Sequence, residues 1–196
     1  MVLDALGNID IYLLDQIMKG RYSPNETILD AGCGVGRNMY WFYNNGFNLY
    51  AIDNNPERID FVQSMYPKQK NNFKVASLAQ LPYPDNSMDH IINCAVLHFV
   101  ENTTMFKLYF SELIRVLKPN GSLFIRMTSD IGVENFITPL PNGIYRLADG
   151  TSRFLLTREL LNELINEFSI ALIEPLKSTN VSDLRTMSTL VLTKLN

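Results

Sequence analysis

Cysteine and histidine are scarce in this chain of 196 residues, two of each, and the scarcity removes whole classes of function. Cys33 and Cys94 cannot make a disulfide framework, and neither has a second Cys or a His at metal-ligand spacing, so no metal is expected. Both read as reduced, small, semi-buried residues. Basic charge is also short: 17 Lys and Arg face 20 Asp and Glu, for a formal charge of −3. With a pI near 5.4, the chain lacks the basic excess of a nucleic-acid binder. No window approaches the roughly 18 consecutive apolar residues of a membrane span, and the opening "MVLDALGNIDIY" has neither the basic start nor the apolar middle of a secretion signal. The expectation is a cytoplasmic protein with no nucleic-acid or membrane partner. What is present is apolar bulk, 46% of residues, enough for one domain over 1–196 with one continuous core.

The chain alternates strand and helix signals. Residues 9–19 place Ile11, Leu14 and Met18 at helical spacing, with Gly20 and Pro24 as the stop, and predict a leading helix. Strands follow near 28–31, 47–52, 73–76, 89–95 and 122–127, with helices near 35–44, 56–65 and 103–116 between them. Such alternation implies parallel strands, right-handed crossovers and helices on both faces of an α/β sheet. Residues 128–156 break the rhythm with Gly132, Pro139, Pro141, Gly143 and Gly150, as an insertion, lid or small hairpin. A helix near 158–168, with Thr157 as N-cap and Glu159 in its first turn, precedes two last strands near 169–174 and 187–194.

The chemistry concentrates where the first strand ends. "ILDAGCGVGRN" closes an apolar run on Asp30 and breaks into Gly32, Gly34 and Gly36, a strand, a tight turn and the first turn of a helix, whose free backbone N–H groups would face a ligand. A dinucleotide fingerprint needs G-x-G-x-x-G. Here Arg37 holds the third position, and Asp30 would repel a pyrophosphate. A zwitterionic amino-acid tail suits the turn better, its ammonium drawn to Asp30 and its carboxylate to the amides. The second strand ends "YAIDNN", placing Asp53 at a carboxyl tip where it can accept both ribose hydroxyls. Ser77 and Leu78 follow the third strand, at a place suited to an adenine edge. These features together indicate S-adenosylmethionine.

"LDAGCGVGRN", "AIDNN", "LAQLPYPDNSMDHIINCAVLHF" and "VLKPNGSLFIRM" resemble the motif series of class I S-adenosylmethionine-dependent methyltransferases over roughly residues 25–127. The GCGxGRN form, with Arg37 and Asn38, is similar to the tellurite-resistance methyltransferase group, which acts on small molecules such as chalcogen oxyanions. The resemblance implies a Rossmann-like seven-stranded sheet in the order 3-2-1-4-5-7-6 with strand 7 antiparallel. It also implies that Asp30, Gly32, Cys33, Gly34 and Gly36 surround the methionine moiety. Asp53 then meets the ribose with Asn54 nearby, Ser77 and Leu78 meet the adenine, and Cys94 or Ala95 underlies the sulfonium. Many relatives carry an acid where this chain has Ser77.

His98, just past the fourth strand, is the one candidate general base. His90 reads as structural. Arg153 and Arg185, flanking a lid with Tyr145, would suit a small anionic substrate, because guanidinium grips an oxyanion bidentately. Tyr12 on the leading helix and Arg37 complete the substrate candidates, with the helix over 9–20 and the insertion over 128–156 as candidate lids. The fourth strand ends "NCAVLHF", without the Asn/Asp-Pro-Pro-aromatic motif of enzymes that methylate planar amino groups. The expected activity is methyl transfer to a small-molecule acceptor by in-line displacement. Two rivals stand beside it: a non-catalytic S-adenosylmethionine-binding regulator and a dinucleotide-dependent oxidoreductase.

Overall fold

In Ile28 and Leu29, two adjacent apolar residues are both fully buried, which a strand achieves only when both its faces are covered. The computed structural model describes residues 6–196; the start of the N-terminal stretch, residues 1–5, lies outside them. Five parallel strands form its centre: β1 (Thr27–Ala31), β2 (Asn48–Asp53), β3 (Phe73–Val75), β4 (Met88–Cys94) and β5 (Leu117–Ser129). A small sheet of β6 (Thr138–Pro139), β7 (Ile144–Arg146) and β8 (Ser152–Phe154) follows. The chain ends with β9 (Ile170–Leu172), β10 (Lys177–Val181) and β11 (Arg185–Lys194). The main sheet runs β10-β11-β5-β4-β1-β2-β3, with β9 also on β11.

This is the expected order, with β11 antiparallel to β5 in the place of the seventh strand. One strand differs. The expected strand near 169–174 is the short β9, and an additional strand, β10, follows it, the two laid end to end along β11. Pro175 lies between them, and proline cannot donate to a ladder.

Helices cover both faces. On one side α1 (Ile11–Met18), α2 (Tyr40–Asn44) and α3 (Pro56–Met65) bring Leu13, Phe42, Ile59 and Val62 onto Ile28, Leu49, Ile92 and Phe124. On the other, α4 (Thr103–Val116) and α5 (Arg158–Glu167) bring Phe106, Phe110, Leu113 and Leu164 onto Leu29, Ile91, Leu123 and Ile125. Side-chain caps start most of them: Asp10 accepts from Tyr12, Asn55 from Glu57, Asn102 from Met105 and Thr157 from Leu160. Each such cap stabilises by about 1 kcal/mol.

Two local expectations change. The stripe of Ile11 and Met18 does not face the core; these residues are 70% and 80% exposed, while Gln16 is fully buried. Polar pairing orients α1 instead: Gln16 and Lys19 bond Glu174, Lys177 bonds Asp15, and the Tyr12 hydroxyl bonds Thr179. The helix expected from residue 35 begins at Tyr40, because Gly34 and Gly36 hold φ of +54° and +76°, outside the right-handed helical region.

Residues 130–156 form an ordered, anchored unit. Phe154 is buried and stacks on Phe106 at 4.8 Å, an arrangement worth about 1 kcal/mol beyond burial. Leu156 donates its amide to the Thr128 carbonyl at 3.0 Å, tying the small sheet to the end of β5. His90, bonded to Ser122 at 2.7 Å and Glu26 at 2.9 Å, has the structural place expected of it.

Candidate functional site

A cavity of about 540 Å³ opens at the carboxyl ends of β1, β2, β3 and β4, where an open parallel sheet places its ligands. Gly32, Cys33 and Gly34 line it from the first turn, Asp53 and Asn54 from the second, Ser77 and Leu78 from the third, and Cys94 and Ala95 from the fourth. Arg37 stands on the same wall.

The glycine turn is shaped by close approach. A β-carbon on Gly32 would lie 2.5 Å from Val96 Cγ2, and its φ is +86°. Gly34, also at positive φ, has nothing within 4 Å of that position, so its surface is open to a ligand. Gly36 does not line the cavity; it packs under Val62 and Tyr66, and its freedom serves the turn.

The amides expected to receive a carboxylate are engaged within the protein. Gly32 and Cys33 both donate to the Ile52 carbonyl, Gly36 donates to Cys33, and Gly34 donates to Asp53 Oδ2 at 2.9 Å. The delayed helix is the reason: the turn bonds back onto β2 instead of presenting a helix terminus. Asp53 is 5% exposed and also accepts the Asn55 amide at 2.9 Å through Oδ1. Arg58 Nη1 lies 3.6 Å from its Oδ2. Each carboxylate oxygen keeps lone-pair capacity for a further donor.

Asp30 lies beneath the wall. It is 2% exposed, and its Oδ2 has no hydrogen-bond partner among the described residues. Burial pushes its carboxyl up to about 7; the Arg37 charge pulls against this and Asp53 adds to it. A buried carboxylate oxygen without a donor is costly and calls for one.

At the tip of β4, Ala95 adopts φ of +61°, a left-handed conformation costing a non-glycine residue about 1–2 kcal/mol. Its amide, bonded to the Arg126 carbonyl at 2.8 Å, holds it there. Burial pushes the Cys94 thiol up to about 11 and the Cys33 thiol higher, so neither is a thiolate nucleophile at neutral pH.

The structure does not bring His98 to the cavity wall. The ring is buried, with Nδ1 accepting the Thr128 amide at 3.3 Å, which leaves the proton on Nε2. Burial, then the charges of Arg153, Arg126 and Arg185, push its pKa down to about 4. Tyr12, Tyr145, Arg153 and Arg185 also stand off the wall. Tyr12 lies beneath Arg126, with the guanidinium 5.0 Å from the ring centroid. Tyr145 sits opposite Arg153 in the small sheet. Arg185 lies 3.5 Å from Asp149.

Sequence reasoning missed Arg58, Phe99, Met105 and Tyr109, all on the wall. Met105 and Tyr109 share a helix face at i, i+4 spacing, a signal indistinguishable from core packing. Arg58 carried a usable one, in the helix that follows Asp53.

Comparison with known proteins agrees with this geometry. Residues 29–125 match a family described as a methyltransferase domain. The chain is 30% identical over 157 residues to O-methyltransferase 3 of Dictyostelium discoideum, covering 72% of this chain and 36% of that protein. It is 27% identical over 156 residues to a tRNA N(3)-cytidine methyltransferase of Mus musculus, covering 70% and 53%. The chain thus spans about half or less of these curated relatives. Among solved structures, 1,6-didemethyltoxoflavin-N1-methyltransferase of Burkholderia thailandensis, with 1,6-didemethyltoxoflavin and S-adenosylhomocysteine bound, is similar in fold. The TM-score is 0.72 at 16% identity, with 100% of this chain and 81% of that one covered.

Proposed function

Because the chain belongs to the class I S-adenosylmethionine-dependent methyltransferases, we propose that it transfers a methyl group to a small-molecule acceptor. The observation that carries this reading is the partnerless Asp30 Oδ2 beneath an open glycine turn, with Asp53 beyond it. An ammonium group satisfies that buried oxygen, and a ribose supplies the donors Asp53 can still accept. A diphosphate would meet two carboxylates in one desolvated place. The residues present therefore fit the family's cofactor and oppose a dinucleotide.

Within this reading, Asp30 and Asp53 bind the two ends of the amino-acid and ribose portions. Arg37 serves the carboxylate that the turn's own amides cannot. Ser77 and Leu78 border the adenine; the Ser77 hydroxyl oxygen already accepts the Ala79 amide at 3.1 Å. S-adenosylmethionine, when bound, supplies an activated methyl carbon, to which the acceptor's lone pair bonds as the C–S bond breaks and its electrons pass to sulfur. The chain's part is to hold the two in line and dry, which is worth roughly 7–11 kcal/mol in well-oriented pairs. His98, neutral and off the wall, is given no proton-transfer role.

Small acceptors are favoured by the elements that flank the acceptor side. Asp10, at the start of α1, reaches across to Arg37 and Arg126 at 3.1 and 2.9 Å, and the small sheet packs beside Phe99 through Arg153. We treat the helical segment over 9–20 and the insertion over 128–156 as the two lids, and a cytoplasmic location belongs to the same reading. Calorimetry should show saturable binding of S-adenosylhomocysteine and none of NADH. Labelled methyl groups supplied with a size-fractionated extract should then enter the low-molecular-mass fraction. Label confined to RNA or protein would overturn the small-molecule acceptor, and absence of S-adenosylhomocysteine binding would overturn the reading whole.

A further inference from the structure

The chain is acidic overall, yet four of its nine arginines gather near one end of the cavity, Arg37 on the wall and Arg126, Arg153 and Arg185 behind it. Arg126 is the register partner of Cys94 on the cavity wall. Arg37 Nη2 lies 3.4 Å from Cys94 Sγ. Arg153 sits with its guanidinium 5.0 Å from the ring centroid of Phe99, another wall residue. Arg185 stands close enough to act with Arg126 and Arg153 on His98. Among the described residues only two carboxylates, Asp10 and Asp149, are bonded to these four guanidiniums; with Arg37 given to the cofactor's carboxylate, Arg126 shares Asp10 and Arg153 has none.

Two further facts turn this excess into a ligand. Arg126 Nε is buried without a hydrogen-bond partner among the described residues. Among the described residues, the only acceptor bonded to Arg153 is its neighbour's carbonyl, Ser152, at 2.7 Å. Meanwhile the Asp10 carboxylate, 3% exposed, already spans Arg37 and Arg126, so the chain itself shows the chemistry these donors accept. A sulfonium placed beside surplus guanidinium charge is disfavoured unless the second substrate brings a negative group.

We infer that the methyl acceptor carries a carboxylate, held by Arg126 and Arg153 just behind the wall residues Cys94 and Phe99, beside the β4–β5 end of the cavity. This rests on the transferase reading above. The carboxylate is a handle and not the attacking atom, because guanidiniums draw charge from the oxygens they bind. Asp10 competes for the same donors, so it sets how tightly an acidic acceptor is held.

The test uses the protein saturated with S-adenosylhomocysteine and titrated with benzoate or its neutral isostere benzamide, followed by NMR or calorimetry. Benzoate should bind about tenfold more tightly than benzamide, one charge-assisted pair's worth. Arg153→Gln, at a half-buried surface position, should remove most of that difference. Asp10→Asn keeps a residue able to cap α1 and should tighten benzoate about threefold or more by removing a like charge. Equal binding of benzoate and benzamide, or benzoate affinity unchanged in both variants, overturns the inference while S-adenosylhomocysteine binding leaves the transferase reading standing. Failure of S-adenosylhomocysteine itself to bind overturns both.

Discussion

The Gly34 amide donates to Asp53 Oδ2 at 2.9 Å, so the acid at the tip of β2 closes the glycine turn at the tip of β1. One carboxylate thus shapes the cavity and offers it an acceptor. Asp53→Ala should weaken S-adenosylhomocysteine binding by on the order of tenfold or more and also lower stability by about 1–3 kcal/mol, since it orphans the Gly34 and Asn55 amides. Asp53→Asn retains an acceptor oxygen and should lose affinity with a smaller loss of stability. Calorimetry and urea unfolding on the two variants separate the effects; unchanged affinity in both would remove the ribose assignment.

On the proposed reading, Asp30 should make cofactor binding depend on pH. With its carboxyl raised to about 7, the ionised form that meets an ammonium is lost as pH falls through that value. Affinity for S-adenosylhomocysteine should be level above about pH 8 and weaken up to about tenfold per unit below pH 7. For the free protein the sign is opposite: the folded state holds this proton more tightly than the unfolded chain. The stability so contributed is complete below about pH 4 and lost as pH rises through 7. Both trends should vanish in Asp30→Asn, and their persistence would reassign them to another group.

His98 runs the other way. Its pKa is lowered to about 4, so the stability it contributes is present above pH 6.5 and lost as pH falls toward 4. A ring-proton NMR titration should show one histidine neutral down to about pH 5, absent in His98→Gln. Titration of His98 near 6.5 would contradict its burial against Thr128 and three arginines.

Gly32 and Gly34 are both at positive φ but meet different surroundings. Gly34→Ala carries backbone strain alone, about 1–2 kcal/mol. Gly32→Ala adds a contact of 2.5 Å with Val96 Cγ2 and should cost more. Val96→Ala in the Gly32→Ala background should recover part of the difference, as denaturant midpoints will show.

The alternation of strands and helices and the two acids at neighbouring strand tips were legible in the sequence, because each follows from local apolar period and from where a strand must stop, whereas the sheet order followed only from the resemblance to the methyltransferase family. Other features were decided in three dimensions. Ile11 and Met18 have helical spacing yet face solvent, since the ion pairs of Asp15, Lys19, Glu174 and Lys177 orient α1 more strongly than two apolar side chains. The turn's amides were expected to be free, but β2 lies alongside and takes them. Asp10 and Arg126 meet although most of the chain separates them. Local pattern is set by a residue and its near neighbours, and the pairing of distant charges depends on which loops the completed sheet brings to the same end.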